Sequence, residues 1–183
     1  LVVEEGMTYG PAKRKAAQLL GYRGVRDGML PDNDRLDDEV RAYLALFHSE
    51  SQPAELAALR AVAAQWMERL AEFRPHLTGA VWRGTATKLD PVHLELFCDD
   101  SKAAEIALID QHIDYSVQAR RGPRGQMIDM LQLEAPCVAL GGGVSVCLSI
   151  LDHDDLRGLL RQDARGRTPR GDIAALRRLM QSP

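Results

Sequence analysis

Apolar residues recur with the spacing of a helix through the first half of the chain. Ala12–Leu20 follows Pro11 and ends at Gly21, and the acidic run Asp32–Glu39 opens a second helix, where negative charge suits the helix dipole. A third and longer helix begins near Pro53. The spacing predicts that the second helix buries Val40, Tyr43, Leu44 and Phe47. In the third helix it predicts a buried stripe of Leu56, Leu59, Ala63, Trp66, Leu70 and Phe73.

The period changes after Pro75, where the chain turns from helical spacing to strand-like runs. Leu77–Trp82 and Val92–Phe97 are two apolar runs of strand length, joined by a short polar link. Their apolar density predicts adjacent strands in the centre of a sheet, with Trp66 and Leu70 of the preceding helix packed against them.

The rest of the second half alternates between short predicted helices and strands. Ser101–His112 is predicted to be a helix that buries Ile106 and Ile109. Further strands are predicted over Tyr115–Ala119, Met127–Glu134 and Val144–Leu151, and further helices over Asp154–Leu160 and Asp172–Met180.

This order of elements predicts an α+β protein, in which N-terminal helices pack on a small mixed β-sheet. We expect one domain over residues 1–183: a helical region over 1–75, a sheet core over 76–160, and a linker with a last helix over 161–183. The helix between the second and third strands allows a parallel strand pair. Arg120–Gly125 is typical of a hairpin turn.

Composition and charge exclude several classes of protein. Hydrophobic residues make up 45% of the chain and charged residues 27%, and 23 basic against 26 acidic residues give a net charge of −3. This balance does not favour nucleic acid or an anionic membrane surface. No apolar run reaches the roughly 20 residues of a membrane-spanning helix, and no secretory leader is visible. Cys98, Cys137 and Cys147 are odd in number and adjoin apolar runs, which predicts reduced, buried thiols in a cytoplasmic protein.

Candidate chemistry concentrates on the run Val92–Phe97. Alternation places His93 and Glu95 on one face of the predicted strand. As a pair they are candidates for acid–base chemistry or for one transition metal, and Cys147 would complete a zinc set only if its strand lies alongside in register. The alternative is a structural pair at the edge of a core, in which the His and Glu side chains satisfy each other's hydrogen-bonding groups.

Gly84-Thr85, together with the strand that begins at Pro91, resembles the nucleotidyltransferase superfamily. That superfamily places a Gly-Ser-like pair after its first strand, at the start of a short helix. Two carboxylates spaced i, i+2 follow on the second strand, and a third comes from a later strand. Together they hold two divalent cations that bind a nucleoside triphosphate and activate the attacking hydroxyl. The resemblance therefore implies a nucleotidyltransferase-type sheet and a ligand-binding set of Gly84, Thr85, His93, Glu95 and Ser145.

The chain is also similar, over most of its length, to a family of short uncharacterised bacterial proteins thought to carry such a core. The matching segments are Ala12–Ala17, His76–Gly79, His93–Phe97 and Asp154–Arg157.

The departures from the superfamily pattern predict a degenerate member. Pro91 stands where the first metal carboxylate belongs, with Asp90 one position early, and His93 stands where the second belongs. The later strand offers Ser145 in place of the third. An offset of one residue turns a side chain to the other face of a strand, so Asp90 is no simple substitute. We therefore expect no Mg²⁺ cofactor and no metal site, with zinc as a minor alternative.

Two basic or glycine-containing segments offer further candidates. Arg120, Arg121 and Arg124 either clamp an anion or form a solvated hairpin tip. Gly141–Gly143 is not followed by the Lys-Ser/Thr of a phosphate loop, which favours a turn or bulge.

Three functional hypotheses follow. The first is a nucleotidyltransferase-like protein that binds a nucleotide-like ligand or a protein partner without metal-dependent transfer. The second is an active transferase with an unusual catalytic set of Asp90, His93 and Glu95. The third is a structural or interaction subunit, with the helical half as a candidate homodimer surface.

Overall fold

The N-terminal part of the protein is helical in the computed structural model, which describes residues 1–22, 24, 26–100, 102–156, 162 and 166–181. Four helices precede the sheet: α1 (Val2–Glu5), α2 (Tyr9–Leu19), α3 (Asn33–Phe47) and α4 (Gln52–Arg69). The Asp32 carboxylate caps α3 by accepting a hydrogen bond from the Arg35 backbone N–H at 2.7 Å. Pro53 lies in the first turn of α4, as the sequence predicts.

A six-stranded mixed sheet forms the second half of the described chain. Its strands lie in the spatial order β3-β4-β5-β2-β1-β6. They are β1 (His76–Thr78), β2 (Val92–Phe97), β3 (Ser116–Arg121), β4 (Met127–Cys137), β5 (Gly142–Leu151) and β6 (Arg170–Gly171). Three further helices are α5 (Gly79–Arg83), α6 (Ala103–Asp110) and α7 (Ile173–Gln181). The α+β class with helices packed on a mixed sheet is confirmed.

The strands differ in two respects, one of pairing and one of length, from those that the sequence predicts. The parallel partner of β2 is β5, which follows it only after the hairpin of β3 and β4. The prediction of one strand over Leu77–Trp82 is wrong for its second half. Gly79 has φ +75, a left-handed conformation that ends β1 after three residues, and the chain continues as α5. β1 and β2 are nevertheless adjacent and antiparallel.

The main core lies between α4 and one face of the sheet. Leu59 and Met67 of α4, and Leu70 directly after it, have no exposed surface, and they share a cluster with buried residues of four strands. The predicted packing of Trp66 and Leu70 in this core is confirmed. A second, smaller cluster joins Val3, Tyr9, Val40 and Leu44 of the N-terminal helices. The opposite face of β2 and β5 carries polar side chains and is the face on which a cleft opens.

Two predicted helix faces are turned differently in the structure. Ile106 and Ile109 are more than half exposed, and α6 buries Ala104 and Leu108 instead. Its sequence is apolar on nearly every side, so periodicity alone could not choose a face. In α3, Val40 and Leu44 are buried as predicted.

Tyr43 and Phe47 were the other two residues of the predicted α3 stripe, and both are exposed. Their rings lie 4.7 Å apart on the surface of the helix.

The C-terminal segments follow the predictions in part. Of the predicted helix Asp154–Leu160, residues 157–160 lie outside the described part of the chain, and His153–Leu156 forms a 3-10 helix. The segment that the sequence suggests is a linker contains β6, which pairs with β1. The three cysteines are free, as predicted: Cys137 and Cys147 are buried, and Cys98 is partly buried. No helix in the described part of the chain is both long and apolar enough to cross a membrane.

Gly171 is the position at which we expect a small substitution to be most disruptive to β6. A Cβ atom there would overlap the six-membered ring of Trp82, whose Nε1–H donates to the Thr168 carbonyl at 2.8 Å. Gly171→Ala should lower the free energy of unfolding by about 1–3 kcal/mol, because the ring has to leave its contact. Urea unfolding measures the loss. Gly142→Ala is the matched control, since no atom lies within 4 Å of its added Cβ, and an equal loss in both variants would contradict this account.

Candidate functional site

A cleft of about 660 Å³ lies against the polar face of β2 and β5. Its walls come from the end of β1, the first residues of α5, the β3–β4 hairpin and β6. Its charged lining residues are four arginines and two carboxylates: Arg83, Arg120, Arg121, Arg170, Asp90 and Glu95. The cleft therefore combines an excess of positive charge with a concave shape.

β2 supplies the floor of the cleft through alternate residues. His93 and Glu95 both line it, in the arrangement that the sequence predicts. In the parallel register with β5, His93 lies opposite Cys147 and Glu95 lies opposite Ser149. Among the described side chains, no hydrogen bond joins His93 to Glu95, so the two are not the self-satisfied pair considered as the alternative.

Glu95 is paired with an arginine from the C-terminal strand. Arg170 Nη1 donates to Glu95 Oε2 at 2.6 Å, and each side chain is only 12% exposed. Burial raises the pKa of the Glu95 carboxyl, whereas the charges of Arg170 and Arg120 oppose that rise. The carboxylate is therefore held by a guanidinium within a largely buried pair.

His93 is neutral at physiological pH. Burial lowers its pKa to about 4, with the positive charges of Arg120 and Arg83 acting in the same direction. Its Nδ1 atom is buried and has no hydrogen-bond partner. The ring lies against Gly79, where an added Cβ would be 3.3 Å from His93 Cδ2.

The carboxylate of Asp90 forms hydrogen bonds within the turn in which Asp90 lies. Its Oδ2 accepts hydrogen bonds from the backbone N–H of Thr87 at 2.9 Å and from the Thr87 hydroxyl at 3.3 Å. Burial raises the pKa of this carboxyl, and the bonds from Thr87 oppose the rise. Asp90 lines the cleft, but both of these bonds hold its carboxylate in the turn.

Gly84-Thr85 lies at the end of α5 and not at the start of a helix, which corrects the placement suggested by the sequence. Gly84 has φ +83 and terminates the helix. The backbone N–H groups of both residues donate to the Ala80 carbonyl, at 2.9 and 3.0 Å, so they are not free for a phosphate. The helix start that follows β1 is Gly79-Ala80, and both residues line the cleft.

Ser145 lies at the beginning of β5 and is not among the cleft-lining residues. Its hydroxyl accepts a hydrogen bond from Gln132 Nε2 at 3.0 Å. The serine of β5 that lines the cleft is Ser149, which accepts from Arg120 Nη1 at 3.1 Å. The sequence gives no signal for Ser149, because the register between two strands that are distant along the chain is set by their packing and cannot be counted from the sequence.

The β3–β4 hairpin forms one wall of the cleft, as the anion-clamp alternative requires. Arg120 and Arg121 line the cleft, whereas Arg124 turns away to an ion pair with Asp155 at 2.8 Å. Arg83 and Arg170 were not singled out from the sequence. Arg170 lies in an arginine- and glycine-rich segment that the sequence suggests is a linker, Arg83 lies in a segment without a motif, and only the fold brings them to the same cleft.

Unpaired buried polar atoms concentrate at this site. Four buried side-chain N or O atoms in the described chain have no hydrogen-bond partner: Arg83 Nε, Thr85 Oγ1, His93 Nδ1 and Arg170 Nε. Three of them belong to residues that line the cleft. Arg83 Nε does lie 3.2 Å from Asp37 Oδ1, an ion pair without hydrogen-bond geometry. Native proteins pair nearly all such groups, so these atoms are unusual features of this part of the molecule.

A second groove, of about 750 Å³, lies between α1, α2 and α3. Its lining is mostly apolar, with side chains such as Val3, Leu20, Leu36 and Val40. Its described lining residues lack the four converging arginines and the unpaired polar atoms of the cleft on β2 and β5, which we call the arginine cleft. The arginine cleft is therefore the better candidate for specific recognition of a ligand.

No model of a known protein family matches the chain, and no curated protein matches it. One solved structure, described as that of a cytoplasmic RNA terminal U-transferase, is similar over 62% of this chain and 36% of its own, with 16% identity and a TM-score of 0.41. The chain thus matches about a third of that protein's length.

Proposed function

We propose that this protein binds a phosphate-bearing, nucleotide-like ligand in the arginine cleft, without catalysing metal-dependent nucleotidyl transfer. The observation that carries the proposal is the charge arrangement of the cleft. Four arginines line it, and both of its carboxylates already accept hydrogen bonds from the protein itself.

An anion suits these side chains for physical reasons. Guanidinium groups present donors in a planar fork that matches phosphate oxygens, and partial burial strengthens the attraction relative to water. Arg120 lines the cleft and donates to a neutral acceptor, the Ser149 hydroxyl, at 3.1 Å. A phosphate oxygen is a stronger acceptor for a guanidinium than a hydroxyl is, because both partners of the hydrogen bond are then charged.

The same side chains are poor ligands for Mg²⁺, which requires several oxygen donors in an octahedral arrangement. Glu95 is bound to Arg170, Asp90 is bound to Thr87, and His93 is a nitrogen donor beside arginines. In the described part of the chain, no three His, Cys, Asp or Glu side chains are grouped to hold a metal ion. The donor set therefore does not fit the two cations that the nucleotidyltransferase resemblance implies.

The order of elements around the cleft supports a degenerate nucleotidyltransferase-like site. A short helix starts at Gly79 directly after β1, as the superfamily pattern requires of its Gly-Ser-like pair. His93, which stands where the second carboxylate belongs, shares the cleft face of the next strand with Glu95, and the neighbouring strand offers Ser149. This site would present an imidazole, one neutralised carboxylate and a hydroxyl where a competent enzyme presents three carboxylates.

The proposal is tested by calorimetric titration of the purified protein with ATP and with UTP. Each titration is done once in EDTA and once in about 5 mM Mg²⁺, in the millimolar range used for Mg²⁺-dependent enzymes. We expect binding that does not require Mg²⁺, and no release of pyrophosphate. Mg²⁺-dependent pyrophosphate release would instead support the active transferase. A protein that binds neither nucleotide nor inorganic pyrophosphate would support the structural or interaction subunit.

Arg120→Ala should weaken nucleotide binding about tenfold or more, because it removes a donor that faces the cleft. Arg177→Ala is the matched control. Arg177 forms an exposed ion pair with Glu68, at 2.6 Å, and does not line the cleft. Equal affinities for the wild type and Arg120→Ala, measured in the same titration, would remove Arg120 from the binding site.

A further inference from the structure

The β3–β4 hairpin is tied to the body of the protein at its tip. Arg124 Nε forms an ion pair with Asp155 Oδ1 at 2.8 Å, and Gln126 Nε2 donates to Asp155 Oδ2 at 3.3 Å. Arg124 Nη2 also donates to the Asp154 carbonyl at 3.0 Å. The two carboxylate oxygens of Asp155 thus hold two residues of the turn between β3 and β4.

Asp155 is well placed to act as a fixed anchor. Its side chain is only 3% exposed, and it lies in the 3-10 helix His153–Leu156, which directly follows the central strand β5. Arg124, by contrast, is 62% exposed and reaches the anchor from the turn. The pair therefore joins the tip of the hairpin to the helical turn that follows β5, a central strand of the sheet.

The tether bears on the cleft because the hairpin carries its arginines immediately beside the turn. Arg120 and Arg121 end β3, and both line the cleft together with Gly122 and Pro123. All six residues of β3 are exposed, and β3 is the edge strand of the sheet. Backbone pairing with β4 holds β3 itself, and the tether fixes the turn that follows Arg120 and Arg121 to the body of the protein.

We propose that Asp155, through Arg124, is a positioning residue that holds the Arg120–Arg121 wall over the cleft. The proposal rests on the anion-binding function proposed above. Neither residue of the pair lines the cleft itself. They would strengthen ligand binding indirectly. If the arginines are already held in place, less conformational entropy of the hairpin is lost when the ligand binds.

Charge and position predict opposite results for one substitution. Asp155→Asn removes a negative charge near a cationic cleft, so electrostatics alone predicts tighter binding of an anion. Loss of the tether predicts weaker binding. Arg124→Ala removes a positive charge and the tether together, and both effects weaken binding.

The experiment is calorimetric titration of ATP into the wild type, Asp155→Asn, Arg124→Ala and the control Arg177→Ala at one ionic strength. We expect Asp155→Asn and Arg124→Ala each to bind about three- to tenfold more weakly than the wild type, and Arg177→Ala to bind equally well. In an Arg120→Ala background, Asp155→Asn should cost clearly less than in the wild type, because the residue it positions is gone. Arg124→Lys should recover part of the affinity.

The outcomes separate the two proposals. If Asp155→Asn remains folded and binds as tightly as the wild type or more tightly, the positioning role is overturned. If Asp155→Asn does not fold, Arg124→Ala decides, since its exposed side chain can be removed without opening the core, and unchanged affinity there overturns the role. A wild type that binds no nucleotide refutes the proposed function. Hydrogen exchange of the β3–β4 backbone amides then tests whether Asp155 restrains the hairpin. Faster exchange in Asp155→Asn than in the wild type supports this role, and unchanged exchange refutes it.

Discussion

Replacing Glu95 with glutamine is expected to tighten the binding of a nucleoside triphosphate about tenfold. In the wild type, the Glu95 carboxylate competes with the ligand for Arg170, which it contacts at 2.6 Å. Removal of one negative charge from a largely buried site lowers the cost of bringing in an anion, and it frees the Arg170 guanidinium for a phosphate. A metal-dependent transferase predicts the reverse, because there Glu95 would be a ligand of the cation.

The same substitution should change stability in a way that depends on the ligand. Without ligand, Arg170 is left largely buried without its partner, so Glu95→Gln should melt at a lower temperature than the wild type. With saturating nucleotide the difference should shrink, because the ligand replaces the lost carboxylate. Thermal unfolding with and without ATP measures both effects.

Glu68→Gln is the matched control for this change of charge. Glu68 pairs with Arg177 at 2.6 Å, but both side chains are more than half exposed and far less is lost when the pair is broken. We expect neither the affinity nor the ligand-dependent stability to change in this variant. Weaker nucleotide binding by Glu95→Gln would contradict the competition between carboxylate and phosphate.

His93 should make the protein less stable as the pH falls below neutrality. Its pKa in the folded protein is about 4, below the value of about 6.5 expected in the unfolded chain. Between these two values the unfolded chain binds a proton that the folded protein does not, so stability falls as the pH falls through this window. The loss relative to a variant without this group should be about 2 kcal/mol at pH 5 and about 3 kcal/mol at pH 4.

The test compares urea unfolding of the wild type and His93→Gln at pH 7 and at pH 5. Glu95 and Asp90, whose pKa values are raised, contribute their own pH dependence to both proteins, so the difference between the two proteins isolates His93. The neighbouring charges of Arg120 and Arg83 oppose protonation of the imidazole in the folded state. Parallel pH profiles for the two proteins would show that His93 is not held neutral.

The α+β class could be predicted from the local pattern, because the spacing of apolar residues changes from that of a helix to the alternation of a strand. Alternation along β2 likewise placed His93 and Glu95 on one face without any knowledge of the sheet. Glycine positions were harder to interpret. Gly84 and Gly79 both adopt positive φ, yet Gly79 begins α5 after β1 and Gly84 ends it.

Local pattern by itself determined the class of fold, the free cysteines and the pair of polar residues on β2, since each depends on neighbours along the chain. Only the tertiary structure decided which residues surround that pair. Ser149 replaces Ser145 because strand register is fixed by packing between distant segments. Arg170 reaches Glu95 across 75 residues of sequence, and Arg83 and Arg120 come from a helix and a hairpin that share no motif with it. Long-range contacts of this kind cannot be predicted from the local sequence, because any exposed arginine fits the local pattern equally well. The folded sheet determines which arginines meet in one cleft.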